Sequence, residues 1–282
     1  MSRRRCRGVI LAAGRGRRLR PLTDHAPKCL VSLGGRALLD WQLDALRAAG
    51  IGDIAIVGGY RARQLRRADI VEFHNPSWRR SAMVTSLVAA RDWLRHAPCL
   101  VSYGDIVYHQ SAVEALLRAR DDVAIVYDVA WRVLWEARFA RPQGDAESLR
   151  VRAGAVVEIG APLAALDDAD GQYVGLVRFT PRGWACAERV LARLGARAAR
   201  ALETTQLLAA LVDDGVRVGA VPIHGRWCEV DTLDDVALYA RRLHARAPWL
   251  HDWREAAVRD RRHRRSTDVM NDAADIAGSQ AP

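Results

Sequence analysis

The chain is predicted to fold as an α/β protein, an open mixed sheet with helices on both faces and a small antiparallel insertion. Three features carry this expectation. Strand-length apolar runs alternate with helical periodicity as far as Tyr127, a glycine-rich loop closes the first run, and shorter two-periodic runs then appear around Gly154.

Val9, Ile10 and Leu11 form the first strand, which ends at Ala12 and Ala13. Leu39, Leu43 and Leu46 recur at helical spacing, and Gly50 stops that helix before a strand at residues 53–57. A helix near 60–67 leads to a strand at 70–73, so the order is β-α-β-α-β, which implies parallel strands with crossover helices. One helix is expected over 84–94, a strand over 99–103 ending at Gly104-Asp105, a helix over 112–119 and a strand over 123–127. Residues 148–159 read as two short strands around Gly154 and 173–179 as another, together an antiparallel insertion covering one end of the sheet. Helices over 202–212 and 232–243, with a strand over 216–222 between them, complete the pattern. At 282 residues the chain is long enough for one large domain, placed at 1–250, followed by a basic tail at 251–282.

The loop after the first strand has the chemistry of a phosphate cradle. Gly14 and Gly16 let backbone N–H groups approach an anion without Cβ obstruction, and Arg18 and Lys28 add positive charge beside it. It is not a P-loop, which needs Gly-Lys-Ser/Thr at a helix start. Nor is it a dinucleotide fingerprint, since Arg17, Arg18 and Leu19 follow Gly16 where a third glycine would be required. Two carboxylates also stand out. Asp105 follows a buried strand at the carboxyl end of a parallel sheet, where open α/β folds place ligands, and it suits Mg²⁺; alone it reads equally as a turn former or helix cap. Asp231, before Thr232-Leu233-Asp234-Asp235, reads alone as part of a helix cap.

The run Leu11-Ala12-Ala13-Gly14-x-Gly16-x-Arg18-Leu19-x-Pro21-Leu22-Thr23, then Pro27-Lys28-x-Leu30-Val31 and Gly34 or Gly35, resembles the signature of the sugar-1-phosphate nucleotidyltransferase superfamily. The resemblance implies a Rossmann-like sheet of the nucleotide-diphospho-sugar transferase type. It also implies that Asp105 and Asp231 are paired Mg²⁺ ligands. The implied reaction is nucleotidyl transfer: an acceptor oxygen attacks the α-phosphorus of a nucleoside triphosphate in line, and pyrophosphate leaves. The acceptor is already anionic, so positioning and charge neutralisation suffice without a general base. On this reading Leu11, Ala12, Ala13, Gly14, Gly16 and Gly104 contact nucleotide, Arg18 stabilises the leaving group, and Lys28 is a point charge between α-phosphate and acceptor.

Further motifs narrow the family. His74-Asn75-Pro76-x-Trp78, Met83-Val84-Thr85-Ser86-Leu87, Gly171-x-Tyr173-Val174-Gly175-Leu176 and Trp227-x-Glu229-Val230-Asp231-Thr232 resemble cytidylyltransferases acting on phosphocholine or 2-aminoethylphosphonate. The resemblance spans residues 8–245 and makes Thr85 and Ser86 the base-contact candidates. These relatives carry Asn where this chain has Ala82, and Ser81 is the neighbouring hydroxyl able to take over that contact. Nine tryptophans against three phenylalanines is an unusual aromatic choice. Most are expected in packing. Trp131 and Trp135, at i,i+4, with Tyr173 could alternatively form a cation–π box for an ammonium group, with Glu203 or Asp128 as countercharge.

The net charge of +10 comes from arginines spread through the helices without a nucleic-acid module, so nucleic-acid binding is not expected. The dense cluster Arg259-Asp260-Arg261-Arg262-His263-Arg264-Arg265 is read as a fraying helix end followed by disorder. Five scattered cysteines without C-x-x-C spacing suit reduced thiols, and no apolar run reaches membrane-spanning length, so a cytoplasmic protein is expected. The composite expectation is a Mg²⁺-dependent cytidylyltransferase using CTP and a small amine-bearing phosphate or phosphonate, with homo-oligomerisation left open. Two alternatives remain at this point: a sugar-1-phosphate nucleotidyltransferase, and a regulatory domain that binds nucleotide without turnover.

Overall fold

A computed structural model describes residues 5–245 and 247–254. Strand β1 (Arg7–Ala12) is followed by the glycine loop, a tight ribbon of β2 (Ser32–Leu33) and β3 (Arg36–Ala37), and helix α1 (Leu38–Ala48). β4 (Ile54–Gly58) and β5 (Val71–His74) continue the parallel series. The helix expected between them is one 3₁₀ turn at Ala62–Leu65, because Arg61 takes a left-handed conformation (φ 48°) and leaves too little chain for more. Next come α2 (Met83–Ala89) and α3 (Arg91–His96), a pair where one helix was expected, interrupted at the buried Ala90. They lead to β6 (Cys99–Tyr103), β7 (Ile106–Tyr108), α4 (Gln110–Leu117), β8 (Val123–Asp128) and α5 (Trp131–Arg138). The remaining elements are β9 (Glu147–Arg152), β10 (Ala155–Pro162), β11 (Gln172–Phe179), α6 (Pro181–Ala201), α7 (Thr204–Asp213), β12 (Val218–Ile223), β13 (Trp227–Glu229) and α8 (Leu233–His244).

The main sheet has nine strands in the order β5-β4-β1-β6-β11-β8-β12-β10-β9. β5, β4, β1 and β6 are parallel, as are β8 and β12. β11, expected with the insertion at one end, instead runs antiparallel through the centre between β6 and β8, where nearly all its side chains are buried. β9 and β10 form the antiparallel edge. Alternate residues of β1 feed two separate cores: Ile10 and Ala12 pack with α1, α4 and α5, while Val9 and Leu11 pack with α2, α6 and α7.

α6 was not anticipated. Its start is nevertheless signalled by Thr180-Pro181, since the Thr180 hydroxyl accepts from Gly183 N–H at 3.2 Å and proline suits the first turn.

The expected boundary after residue 250 is corrected by the packing of 247–254. Trp249 stacks on Tyr239 at 5.5 Å, Trp253 meets Trp41 edge-on at 6.0 Å, and His251 is fully buried. These aromatic residues bury apolar area on α1 and α8, so the segment belongs to the domain. The basic cluster at 259–265 lies outside the described residues.

Candidate active site

β7 and β13 build the site. They pair antiparallel, with Ile106 opposite Glu229, and Val230 N–H donates to the Asp105 carbonyl at 2.9 Å. This ribbon brings together two carboxylates that are distant in sequence. Thr232, not Asp231, caps α8: its hydroxyl accepts from Asp235 N–H at 3.2 Å, and the Asp235 carboxylate accepts from Asp231 and Thr232 N–H at 2.9 Å each. The Asp231 side chain is therefore left for other partners.

Lys28 supplies one of them. Its Nζ donates to Asp105 Oδ2 at 2.7 Å and to Asp231 Oδ1 at 2.6 Å, and Arg18 reaches Asp231 Oδ1 at 3.0 Å. Gly16 makes this placement possible: its φ is +71°, and a Cβ there would stand 2.9 Å from the Lys28 side chain. Gly16 thus seats the lysine. Gly14, whose Cβ would meet nothing within 4 Å, faces open space, and Gly104 lets the chain pass 2.6 Å from the Leu11 carbonyl measured at its missing Cβ.

Glu229 was missed by the sequence reading, although it stands two residues before Asp231 and is quoted in the same motif. Oxygens of Asp105, Glu229 and Asp231 lie within 4.8 Å of one another, and Asp105 Oδ1 is buried without a hydrogen-bond partner. Arg138, also missed, is the buried counter-ion below them. It donates to Asp235 at 2.9 Å, Glu229 at 3.2 Å and Asp231 at 3.4 Å with its own side chain fully buried. No local signal marks it, because its partners come from elsewhere in the chain.

Charge states follow from this arrangement. Burial works against the Lys28 ammonium, but the negative charges of Asp105 and Asp231 outweigh it and hold its pKa above the ordinary value. Burial also raises the Asp231 carboxyl, yet Lys28, Arg18 and Arg138 together bring it below the usual carboxylate range. Glu229 is pushed up to about 8 by burial and by the Asp231 charge, toward its protonated form.

Two cavities meet at Lys28 and Asp105. The first, about 180 Å³, is lined by Leu11, Ala12, Ala13, Gly14, Gly104 and Ser86, all among the residues assigned to nucleotide from sequence, together with Asn75, Trp78 and Ser81, whereas Gly16 does not line it. Thr85 does not line it. It faces away on α2, where its hydroxyl donates to the Arg200 carbonyl at 3.4 Å. The second cavity, about 430 Å³, holds Arg18, Asp231, Trp135, Tyr173 and Glu203, and its wall is strongly acidic through Asp145, Glu147 and Glu229. Burial raises the carboxyl pKa of both Asp145 and Glu147. Glu203 lines both cavities and accepts from Met83 N–H at 3.2 Å.

Trp131 is a packing residue, 1 % exposed and edge-on to Trp135 at 5.8 Å. Its i,i+4 partnership with Trp135 points both rings into the core beside the sheet, and only Trp135 reaches the cavity. Asp128 is likewise structural: its carboxylate accepts from Ala130 N–H, Gly225 N–H and Trp227 Nε1–H, each at 2.9 Å.

A glycine-rich loop at the carboxyl end of a mixed sheet, joined to a lysine–carboxylate centre between two cavities, is an arrangement that suits a nucleotidyltransferase. The MobA-like NTP transferase domain model matches residues 8–210, and the chain belongs to this family. It is 35% identical over 247 residues to the CTP:phosphoglutamine cytidylyltransferase of Campylobacter jejuni, covering 81% of this chain and 96% of that one. It is 32% identical over 104 residues to the 2-aminoethylphosphonate cytidylyltransferase of Lancefieldella rimae, 35% of this chain and 42% of that one. The structure of the inositol-1-phosphate CTP transferase from T. maritima shares the fold, with a TM-score of 0.66, 18% identity, and coverage of 87% of this chain and 100% of that one. Among the described residues no helix is long and apolar enough to cross a membrane.

Proposed function

We propose that the protein transfers CMP from CTP to a small phosphate or phosphonate carrying an ammonium group, releases pyrophosphate, and depends on Mg²⁺. The observation that carries this reading is the Lys28–Asp105–Asp231 centre at the junction of a glycine-lined cavity and an acidic one. Triphosphate belongs in the first, where Gly14 leaves room beside Lys28. An acceptor whose anionic end meets Lys28 and Arg18, and whose cationic end meets carboxylates, suits the second. Asp145, Glu147 and Glu203 favour a cation, and Trp135 and Tyr173 add aromatic surface for it. The cytidine preference draws its support from the CTP:phosphoglutamine cytidylyltransferase, 96% of whose length the chain matches.

The donor set fits a hard divalent cation. It is all oxygen, and the partnerless Asp105 Oδ1 is a ligand atom in waiting. Asp105 and Asp231, with Glu229 beside them, would hold Mg²⁺, which when bound neutralises charge on the transferred phosphoryl group. The remaining work falls to the chain. Lys28 keeps its proton and presents fixed positive charge where the two cavities open into each other, Arg18 extends that charge towards the leaving pyrophosphate, and Arg138 keeps the carboxylates from drifting apart. No residue needs to remove a proton from an acceptor that is already an anion.

The test is pyrophosphate release with CTP, UTP, dTTP and GTP against phosphoglutamine, phosphocholine, 2-aminoethylphosphonate and several sugar 1-phosphates. Turnover confined to CTP with an ammonium-bearing acceptor is expected. Efficient use of a sugar 1-phosphate would replace the acceptor assignment, and nucleotide binding without turnover on any pair would favour a regulatory role.

A further inference from the structure

The cavity assigned to the nucleotide is lined by the charged group Gly14, Lys28 and Asp105 and also by a neutral polar group, Asn75, Ser81 and Ser86. In the second group the hydrogen-bond directions are fixed by backbone groups. Ser77 N–H donates to Asn75 Oδ1 at 2.9 Å, and since a backbone N–H can only donate, the carboxamide orientation is settled. Asn75 Nδ2 therefore donates to Ser81 Oγ at 3.2 Å and to Ser86 Oγ at 3.0 Å. Ser81 Oγ in turn donates to the Ser77 carbonyl at 3.0 Å, a group that can only accept. The Ser81 proton is thus committed, and one of its two lone pairs is taken. What it has left for a ligand is one lone pair. Asn75, 2 % exposed and with both its amide hydrogens and its oxygen in use, locks the arrangement.

We propose that Ser81 reads the nucleobase as a fixed acceptor, admitting the 4-amino group of cytosine and rejecting the 4-oxo group of uracil. An amino group at that position donates to the free lone pair; a carbonyl there sets lone pair against lone pair and loses its own solvation. Ala82 has no polar side-chain atom to share the task, and Asn75 acts as a positioning residue through the serine. The inference rests on the CTP reading above and gives it a specificity determinant.

The experiment measures kcat/KM for CTP, for UTP, and for the cytidine triphosphate analogue with hydrogen in place of the 4-amino group, on wild type and on Ser81→Ala. Wild type is expected to favour CTP over the analogue by about tenfold. Ser81→Ala should lower kcat/KM for CTP by about tenfold, leave the analogue within about twofold, and narrow the CTP:UTP preference accordingly. Equal losses for CTP and analogue would show that the serine only shapes the cavity, and overturn the proposal. Wild-type enzyme that treats CTP and analogue alike would overturn it without any variant. A CTP preference that survives in Ser81→Ala removes this inference and leaves the proposed function standing. A wild type without preference for CTP over UTP removes both.

Discussion

Lys28 is the residue on which the site turns, because its ammonium both neutralises two carboxylates and faces both cavities. Lys28→Ala should lower kcat by about a hundredfold or more while the folded far-UV spectrum persists, since in the proposed reaction the charge acts chiefly on the developing transition state. Comparable turnover in the folded variant would sink the role. Asp105→Asn and Asp231→Asn should each remove Mg²⁺-stimulated turnover, and the double variant should be little worse than either single one, as expected of two ligands to one ion. Full activity in one of them, with an unchanged Mg²⁺ requirement, would return that residue to a structural role. Arg138 acts one layer below. Its side chain is fully buried against three carboxylates, so Arg138→Met should cost about 3–5 kcal/mol in urea unfolding, most of it the penalty of leaving those charges uncompensated.

Among the elements, the segment at 247–254 behaves as a strap and not as a tail. Trp253, 2 % exposed and seated on Trp41, should cost about 3–5 kcal/mol when changed to Ala. A chain ending after Leu250 should accordingly melt lower than one ending after Arg254; equal melting would show that the strap adds no stability. The same strap carries a pH dependence. Burial pushes the His251 imidazole below its ordinary pKa, outweighing the opposing pull of Asp128. The unfolded chain then binds a proton that the folded one refuses. Stability from this group is complete above about pH 6.5 and is lost as pH falls below that value. Melting curves from pH 7.5 to 5.5 should show the decline, and His251→Gln should flatten it.

For the whole molecule, the metal and the fold should separate. Lys28 already balances Asp105 and Asp231, so the carboxylate cluster does not need a cation to stay folded. Chelation with EDTA is therefore expected to abolish turnover and leave the melting temperature of the nucleotide-free protein unchanged. A large drop in melting temperature on chelation would mean that the ion is structural. CTP with Mg²⁺ at a hundred times its Kd should then raise stability by about 2.7 kcal/mol through linkage alone, a rise that UTP at the same concentration should not match.

The alternation of apolar runs determined the α/β class by itself, because strand and helix periods are local and both faces of a parallel strand must be apolar. The glycine loop was legible for a similar reason: Gly14, Gly16 and Lys28 lie close together in sequence, and their chemistry follows from residue type. Other features were settled only when distant segments met. The place of β11 at the centre of the sheet, the joining of Asp105 to Asp231 across β7 and β13, and the counter-ion role of Arg138 all depend on non-local pairing. The aromatic candidates divided on the same ground. Trp131 and Trp135 share a helix face, and only the sheet and cavity around that face decide which ring is core and which is wall. Local pattern specifies which residues can bury or bind; which of them do so is decided by the burial and charge that other elements impose.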